Sequence, residues 1–146
     1  SAADMADVVK SKAAEQDIII MTAAVADFCP SHPADEKIKK NDSSYESVIE
    51  LERTEDILSY LGAHKAKGQL ICGFSMETQN MLENSKAKLA KKNADMIVAN
   101  NLKVAGAGFG TDTNVVTLIT ADDCTELEIM DKSCVAARIM DRLLQM

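Results

Sequence analysis

The stretch Asp17-Ile18-Ile19-Ile20-Met21-Thr22-Ala23-Ala24-Val25-Ala26-Asp27-Phe28 decides the fold. It begins with a short apolar run, which is typical of a strand buried on both faces of a sheet. The small residues Ala23 and Ala24 follow at the end of that strand, where the lack of bulky side chains lets a ligand lie close to the backbone. Asp27 then offers a fixed acceptor. We therefore expect a ligand site where this strand ends.

A charged segment, Glu36-Lys37-Ile38-Lys39-Lys40, begins nine residues after Asp27. Its lysines are mobile cations, and a nucleotide requires cations for its phosphates beside an acceptor for its base or sugar. The residues from about 29 to 44 hold both prolines and are mostly polar, which predicts a long excursion of the kind that is often functional or disordered. Spacing alone favours a solvated charged loop over a phosphate site.

Length and composition limit the classes of protein. The chain has 146 residues, of which 47% are hydrophobic, and this is enough for one globular domain with its own core. No run approaches the roughly 20 apolar residues of a membrane span, and no basic-then-apolar leader opens the chain, so we expect a soluble cytoplasmic protein. The formal net charge of −7 argues against a general nucleic-acid surface, although a local lysine cluster can still bind a small anion.

The cysteines and histidines favour neither a metal centre nor a disulfide framework. Four scattered cysteines form no C-x-x-C pair, and only His32 and His64 are present. This composition argues against a zinc site and predicts reduced thiols.

Strand and helix signals alternate along the chain. Four helices are predicted: one after a capping box formed by Ser1 and Asp4, one after a Thr54 cap, one over 78–92 and one around 135–143. Strands are predicted near 17–21, 47–51, 70–74, 95–99, 115–120 and 126–130. The alternation with a late hairpin predicts a single α/β domain over residues 1–146, Rossmann-like and three-layered, with a mostly parallel sheet, helices on both faces and an antiparallel edge hairpin. Such folds normally begin with a strand and a phosphate-binding turn, so we expect that the first strand and its glycine-rich turn are missing.

The glycine-rich run Gly106-Ala107-Gly108-Phe109-Gly110 is similar in composition to a phosphate-binding turn. It leads into Thr111-Asp112-Thr113-Asn114 and a β-branched run, however, and no helix follows it directly. Without a helix N-terminus behind it, the turn lacks the donors and the dipole that hold a pyrophosphate. A turn before a strand is the favoured interpretation, and this argues against a nicotinamide or flavin oxidoreductase.

Six ordered blocks resemble bacterial phosphopantothenoylcysteine synthetase, the C-terminal half of the bifunctional coenzyme A biosynthesis flavoprotein. The blocks are Ala23 to Phe28, Lys37 to Lys40, Thr54 to Leu58, Gly73 to Thr78, Ile97 to Asn100, and Gly108 and Phe109 with Asp112, Asn114 and Val115. The resemblance implies a ligase that joins 4'-phosphopantothenate to L-cysteine, using CTP with Mg²⁺ and passing through an acyl-cytidylate. The alternatives are a catalytically incomplete nucleotide-binding fragment of that enzyme and an ATP-using relative.

The resemblance also implies site residues. Lys37 matches a lysine on a mobile flap, and because lysine is protonated at neutral pH it would act as a positioned charge in catalysis rather than as a base. The other implied nucleotide contacts are Ala23 and Asp27 at the base or sugar, Glu55, Asp56, Ile57 and Leu58 along the nucleoside, Phe74, and Lys88 with Lys92 at the triphosphate. Two acids in a helix's first turn would repel phosphates, so that helix should meet the base or ribose.

Each of these residues also has a structural interpretation. From the pattern alone, Asp27 is equally well a loop cap, Phe74 a core residue, and the Lys88 and Lys92 pair a solvated helix face. The resemblance further implies a homodimer and a flavin-dependent decarboxylase half as partner. It implies no protein ligand set for a metal, and no nucleic-acid or membrane partner.

Overall fold

The computed structural model describes residues 1–37, 48–77, 80–101, 104, 108 and 110–146. The helices are α1 (Ala2–Ala13), α2 (Ile57–His64), α3 (Met81–Lys92) and α4 (Lys132–Leu143). The strands are β1 (Ile18–Met21), β2 (Phe28–Pro30), β3 (Leu51–Arg53), β4 (Leu70–Glu77), β5 (Met96–Asn101), β6 (Thr113–Asn114), β7 (Val116–Ile119), β8 (Cys124–Glu126) and β9 (Met130–Asp131). None of the described helices is long and apolar enough to cross a membrane.

The central sheet has five strands in the order β1-β4-β5-β7-β8. Strands β1, β4 and β5 are parallel, with Cys72 of β4 paired to Ile20 on one side and to Met96 on the other. Strand β7 runs antiparallel to β5, and β8 runs antiparallel to β7. The predicted mixed sheet with an antiparallel edge hairpin is confirmed.

Helices cover both faces of this sheet. Alternate residues of β1 point in opposite directions: Ile18 and Ile20 pack on the side of α4, whereas Ile19 and Met21 pack on the side of α1 and α2. The first cluster contains Val135, Ile139 and Leu143 of α4, and the second contains Ala6 of α1 with Ile57 and Leu61 of α2. The three-layer prediction is confirmed, and so is the capping box that Ser1 and Asp4 make at the start of α1.

Four strand predictions differ from the structure. The strand predicted near 47–51 begins only at Leu51, as β3. Strand β1 is half-buried and not fully buried, because its one described neighbour in the sheet is β4. The excursion predicted from residue 29 contains β2, which pairs antiparallel with β3. The strand predicted over 126–130 is divided between β8 and β9, and β9 pairs with β6. Residues 38–47, which include Lys39 and Lys40, lie outside the described residues.

Cys72 gives the first testable prediction. This residue is fully buried in β4, and burial raises the pKa of its thiol to about 12. In the unfolded chain the pKa of this thiol lies near 9.0, so the folded state binds the thiol proton more tightly. This tighter binding stabilises the fold fully below pH 9, and the stabilisation is lost as the pH rises from about 9 towards 12. Denaturant titrations at pH 8 and pH 10 measure this loss. Between the two pH values, the free energy of unfolding of the parent chain should fall by about 1 kcal/mol more than that of a Cys72→Ala variant.

Thiol labelling provides the control for this prediction. Cys124 and Cys134 are exposed, so an aromatic disulfide reagent should modify them in the folded chain, whereas Cys72 should react only on unfolding. Rapid modification of Cys72 under native conditions would contradict its assigned burial.

Candidate functional site

A cleft lies at the carboxyl ends of β1 and β4, where parallel strands commonly present ligand sites. Nine of the ten residues predicted from the sequence line it: Ala23, Asp27, Glu55, Asp56, Ile57, Leu58, Phe74, Lys88 and Lys92. The segments that contribute them are separated in the chain, so the sheet brings them together. This shared location is a geometric finding, and the role of each residue remains a prediction.

The loop after β1 is held in place by Thr54. The Thr54 hydroxyl donates a hydrogen bond to the carbonyl of Ala26, and the Thr54 N–H donates to the carbonyl of Asp27 at 3.0 Å. The carboxylate of Asp27 makes no hydrogen bond or ion pair with any described residue. Within the described residues, Asp27 is therefore not a cap for local amides, and it lines the cleft.

The start of α2 differs from its prediction. Thr54 does not cap this helix; the N-cap is Asp56, whose Oδ1 accepts a hydrogen bond from the backbone N–H of Ser59 at 3.0 Å. Glu55 precedes the cap, so neither acid lies within the first turn. Both acids still line the cleft, and the carboxylate of Asp56 lies at the N-terminal end of the helix, where the dipole stabilises it.

Two ion pairs connect these acids to other helices. Lys92 at the end of α3 pairs with Asp56, and its side chain is only 14% exposed. Lys10 of α1 pairs with Glu55 and lies over the ring of Tyr60, 4.7 Å from the ring centroid. The hydrogen bond to Glu55 raises the pKa of Lys10.

Lys88 lies one turn before Lys92 on α3 and lines the same cleft. Its ammonium donates to the carbonyl of Phe74 at 3.0 Å and makes no ion pair with a described residue. The expectation that Lys88 and Lys92 share one face is confirmed by their common position in the cleft. Lys88 is therefore a cation of the cleft without a carboxylate partner in the described part of the chain.

Two glycines allow α2 to pack closely against its neighbours. A Cβ on Gly73 would lie 2.5 Å from Cδ2 of Leu58, and a Cβ on Gly62 would lie 1.8 Å from the carbonyl oxygen of Lys92. The amide of Asn93 donates to the carbonyl of Gly62 at 2.7 Å and connects the ends of α2 and α3. The position of Lys92 relative to Asp56 thus depends on a direct contact between two backbones.

Lys37 is the predicted residue that does not line the cleft. It is exposed and directly precedes residues 38–47, which are not described. The neighbouring β2 and β3 form the base of the excursion that carries it. Lys10 and Thr54, by contrast, were missed as site residues: Thr54 was interpreted as a helix cap, and the partners of both residues are more than 25 residues away in the chain.

The described charges of the cleft and its border are balanced, where the border is Lys10, the ion-pair partner of Glu55. Carboxylates are contributed by Asp27, Glu55 and Asp56, and ammonium groups by Lys88, Lys92 and this Lys10. Among the described residues, no group of three or more His, Cys, Asp or Glu side chains is placed to hold a metal ion. A polyphosphate bound here would need further positive charge, from a metal ion that it carries itself or from lysines that do not line the cleft.

Comparisons with known proteins agree with the predicted family. The model of the DNA/pantothenate metabolism flavoprotein C-terminal domain matches residues 1–146. The coenzyme A biosynthesis bifunctional protein CoaBC of Bacillus subtilis is 48% identical over 144 residues, which cover 98% of this chain and 35% of that protein. A protein of an unknown prokaryotic organism named cysteine/cysteine sulfinic acid decarboxylase is 46% identical over 99% of this chain and 40% of its own length.

Solved structures show the same fold. The crystal structure of the C-terminal domain of CoaBC aligns with a TM-score of 0.77 and 41% identity, covering 99% of this chain and 64% of that one. A Cab2 variant in complex with phosphopantothenate-cysteine aligns with a TM-score of 0.64 and 18% identity, over 94% of this chain and 48% of that one. The chain thus spans between about a third and two fifths of the curated relatives reported above.

Proposed function

The chain belongs to the family of DNA/pantothenate metabolism flavoprotein C-terminal domains, and on this basis we propose that it is the nucleotide-binding part of a ligase that joins 4'-phosphopantothenate to L-cysteine in coenzyme A biosynthesis. The observation that carries the proposal is the cleft, which gathers nine of the ten predicted residues. The CoaBC relatives and the phosphopantothenate-cysteine complex of Cab2 support the choice of substrates.

The reaction requires two displacements. A carboxylate oxygen of 4'-phosphopantothenate attacks the α-phosphorus of CTP, so that an acyl-phosphate bond forms, the bond between the α- and β-phosphates breaks, and pyrophosphate leaves. The amine of cysteine then attacks the acyl carbon, the amide forms, and CMP leaves while the amine loses a proton. The first step brings anions together, so cations must stabilise its transition state.

The geometry of the cleft supports a division of roles. Asp27 and the start of α2 present acceptors and apolar surface to the base and ribose, whereas Lys88 and Lys92 present ammonium groups to the phosphates. In this proposal Mg²⁺ arrives on the triphosphate, because phosphate oxygens with few protein ligands are its usual environment and the described residues offer no ligand cluster. Mg²⁺ would supply charge neutralisation for the phosphates.

A strand and a glycine-rich turn that precede α1 are part of the same proposal. The half-buried β1, with one described neighbour in the sheet, supports an additional strand on its other side. The intact enzyme would be a cytoplasmic homodimer joined to a flavin-dependent decarboxylase half. We accordingly expect the 146-residue chain alone to bind CTP only weakly.

The proposal is tested by single-turnover release of pyrophosphate, measured for the chain alone and for the chain joined to the proposed preceding segment. We expect release that requires CTP, 4'-phosphopantothenate and Mg²⁺ together. A Lys88→Met variant should release pyrophosphate about tenfold to a hundredfold more slowly, because a cation of the cleft that has no carboxylate partner among the described residues is lost. The matched control is Lys91→Met, which removes an exposed lysine of α3 that does not line the cleft.

The outcomes separate the alternatives. Release with ATP but not with CTP identifies an ATP-using relative, and nucleotide binding without release by the joined form identifies a binding fragment. Tight, metal-dependent binding of CTP by the chain alone, measured by calorimetry, would contradict the proposed need for a preceding segment. Release that does not require 4'-phosphopantothenate would contradict the ligase.

A further inference from the structure

A second cavity shares a wall with the nucleotide cleft. It lies at the same edge of the sheet and is lined by Thr22, Phe74, Met76, Asn100, Asn114 and Lys132. The shared wall is Phe74, which also lines the first cleft. Its volume is about 200 Å³, which suits a small molecule. A ligand in this cavity would therefore be a neighbour of a nucleotide bound in the first cleft, on the other side of Phe74.

The two asparagines have a fixed orientation. The backbone N–H of Val115 can only donate, and it donates to Oδ1 of Asn114 at 2.9 Å. The amide nitrogen of Asn114 must then be the group that donates to Oδ1 of Asn100 at 2.8 Å. This leaves the amide N–H groups of Asn100 as donors, and they make no hydrogen bond with a described residue.

The cavity also contains a cation and an apolar wall. Lys132, the first residue of α4, forms no ion pair with a described residue. Phe74 and Met76 supply an aromatic ring and a thioether, and Met76 is 51% exposed. Donors that have no acceptor among the described residues thus lie beside a surface that suits a short sulfur-containing side chain.

We propose that this cavity is the subsite for the amino acid substrate, L-cysteine, and this inference rests on the proposed ligase function. The cysteine carboxylate accepts from Lys132 and Asn100, and its side chain contacts Phe74 and Met76. Its α-amine is then directed across Phe74 towards the acyl carbon formed in the nucleotide cleft. The second displacement needs this adjacency, since the amine must reach an acyl group attached to the nucleotide.

The first test follows binding itself and needs no catalysis. The ¹⁵N-labelled chain is titrated with L-cysteine and with cysteamine, which has the same thiol and amine but no carboxylate. We expect saturable shifts of the Asn100 and Asn114 side-chain amides and of the Lys132 backbone with L-cysteine, and much weaker shifts with cysteamine. Lys132→Met should raise the apparent Kd for L-cysteine about tenfold, whereas the exposed Lys67→Met should leave it unchanged.

The second test separates the two half-reactions in the form that turns over. Lys132→Met should raise the KM for cysteine about tenfold, whereas the exposed Lys67→Met should leave both the KM for cysteine and the pyrophosphate release unchanged. Three outcomes would overturn the subsite. The first is shifts at Asn100 and Lys132 that are caused by 4'-phosphopantothenate but not by cysteine, and the second is equal shifts with cysteamine and with L-cysteine. The third is a KM for cysteine that Lys132→Met leaves unchanged. Absence of pyrophosphate release in the parent protein would instead refute the proposed function.

Discussion

Replacing Gly62 with alanine is expected to lower the free energy of unfolding by about 3 kcal/mol, although alanine is favoured over glycine within a helix by about 1 kcal/mol. The added Cβ would lie 1.8 Å from the carbonyl oxygen of Lys92. That oxygen belongs to the backbone, so no side-chain rotation can relieve the contact. Helix α2 would have to move away from the end of α3, and the hydrogen bond from Asn93 to the Gly62 carbonyl would be lost.

The same movement should also affect the cleft. Asp56 begins α2 and pairs with Lys92 of α3, so separation of the two helices weakens this pair. We expect a lower free energy of unfolding, measured by urea denaturation, and weaker nucleotide binding, measured by calorimetry on the chain joined to its proposed preceding segment.

The matched control for this prediction is Gly68→Ala. Gly68 has a positive φ of 85°, and a Cβ there would have nothing within 4 Å. Alanine at this position should cost about 1–2 kcal/mol from the left-handed backbone alone. If Gly62→Ala were as stable as the parent chain, the close approach of α2 and α3 would be wrong.

Local patterns predicted the parts of the fold that depend on neighbouring residues. The apolar run from Ile18 to Met21 identifies β1, and the small residues that follow it place the cleft at the end of that strand. The spacing of Lys88 and Lys92 places both on one face of α3. These predictions succeed because a strand alternates every second residue and a helix repeats every 3.6 residues, so sequence spacing alone decides which side chains share a face.

Features that depend on distant contacts could not be predicted in the same way. Thr54 and Asp56 are both common N-cap residues, and the choice between them is decided by a hydrogen bond from Thr54 to Ala26, 28 residues away. The pair of Lys10 and Glu55 joins residues 45 apart. Strands β2 and β3 are too short for an alternating pattern, so their pairing becomes visible only in three dimensions.

Replacing Lys37 with glutamine is expected to slow pyrophosphate release about 10²–10³-fold, as the loss of one positioned charge in a transition state does in other enzymes. The described charges of the cleft and its border are balanced, and Lys92 and Lys10 are already paired with carboxylates. In the proposed reaction, a triphosphate and a carboxylate would meet there and add several negative charges. Mg²⁺ would offset part of them, and the remainder would need a cation from outside the cleft.

We expect Lys37 to supply that cation, because the ribbon of β2 and β3 leads into the segment that carries it. Strand β2 begins at Phe28, directly after Asp27 of the cleft, and β3 ends at Arg53, directly before Thr54. Both ends of the excursion thus join the cleft, so closure of the segment would bring Lys37 towards the phosphates and exclude water. The measurement is single-turnover pyrophosphate release by the chain joined to its proposed preceding segment, with Lys86→Gln on the exposed face of α3 as control. If Lys37→Gln released pyrophosphate at the parent rate, the activation barrier of the first displacement would be lowered without this charge. The proposal that closure of the segment brings Lys37 to the phosphates would then have to be rejected.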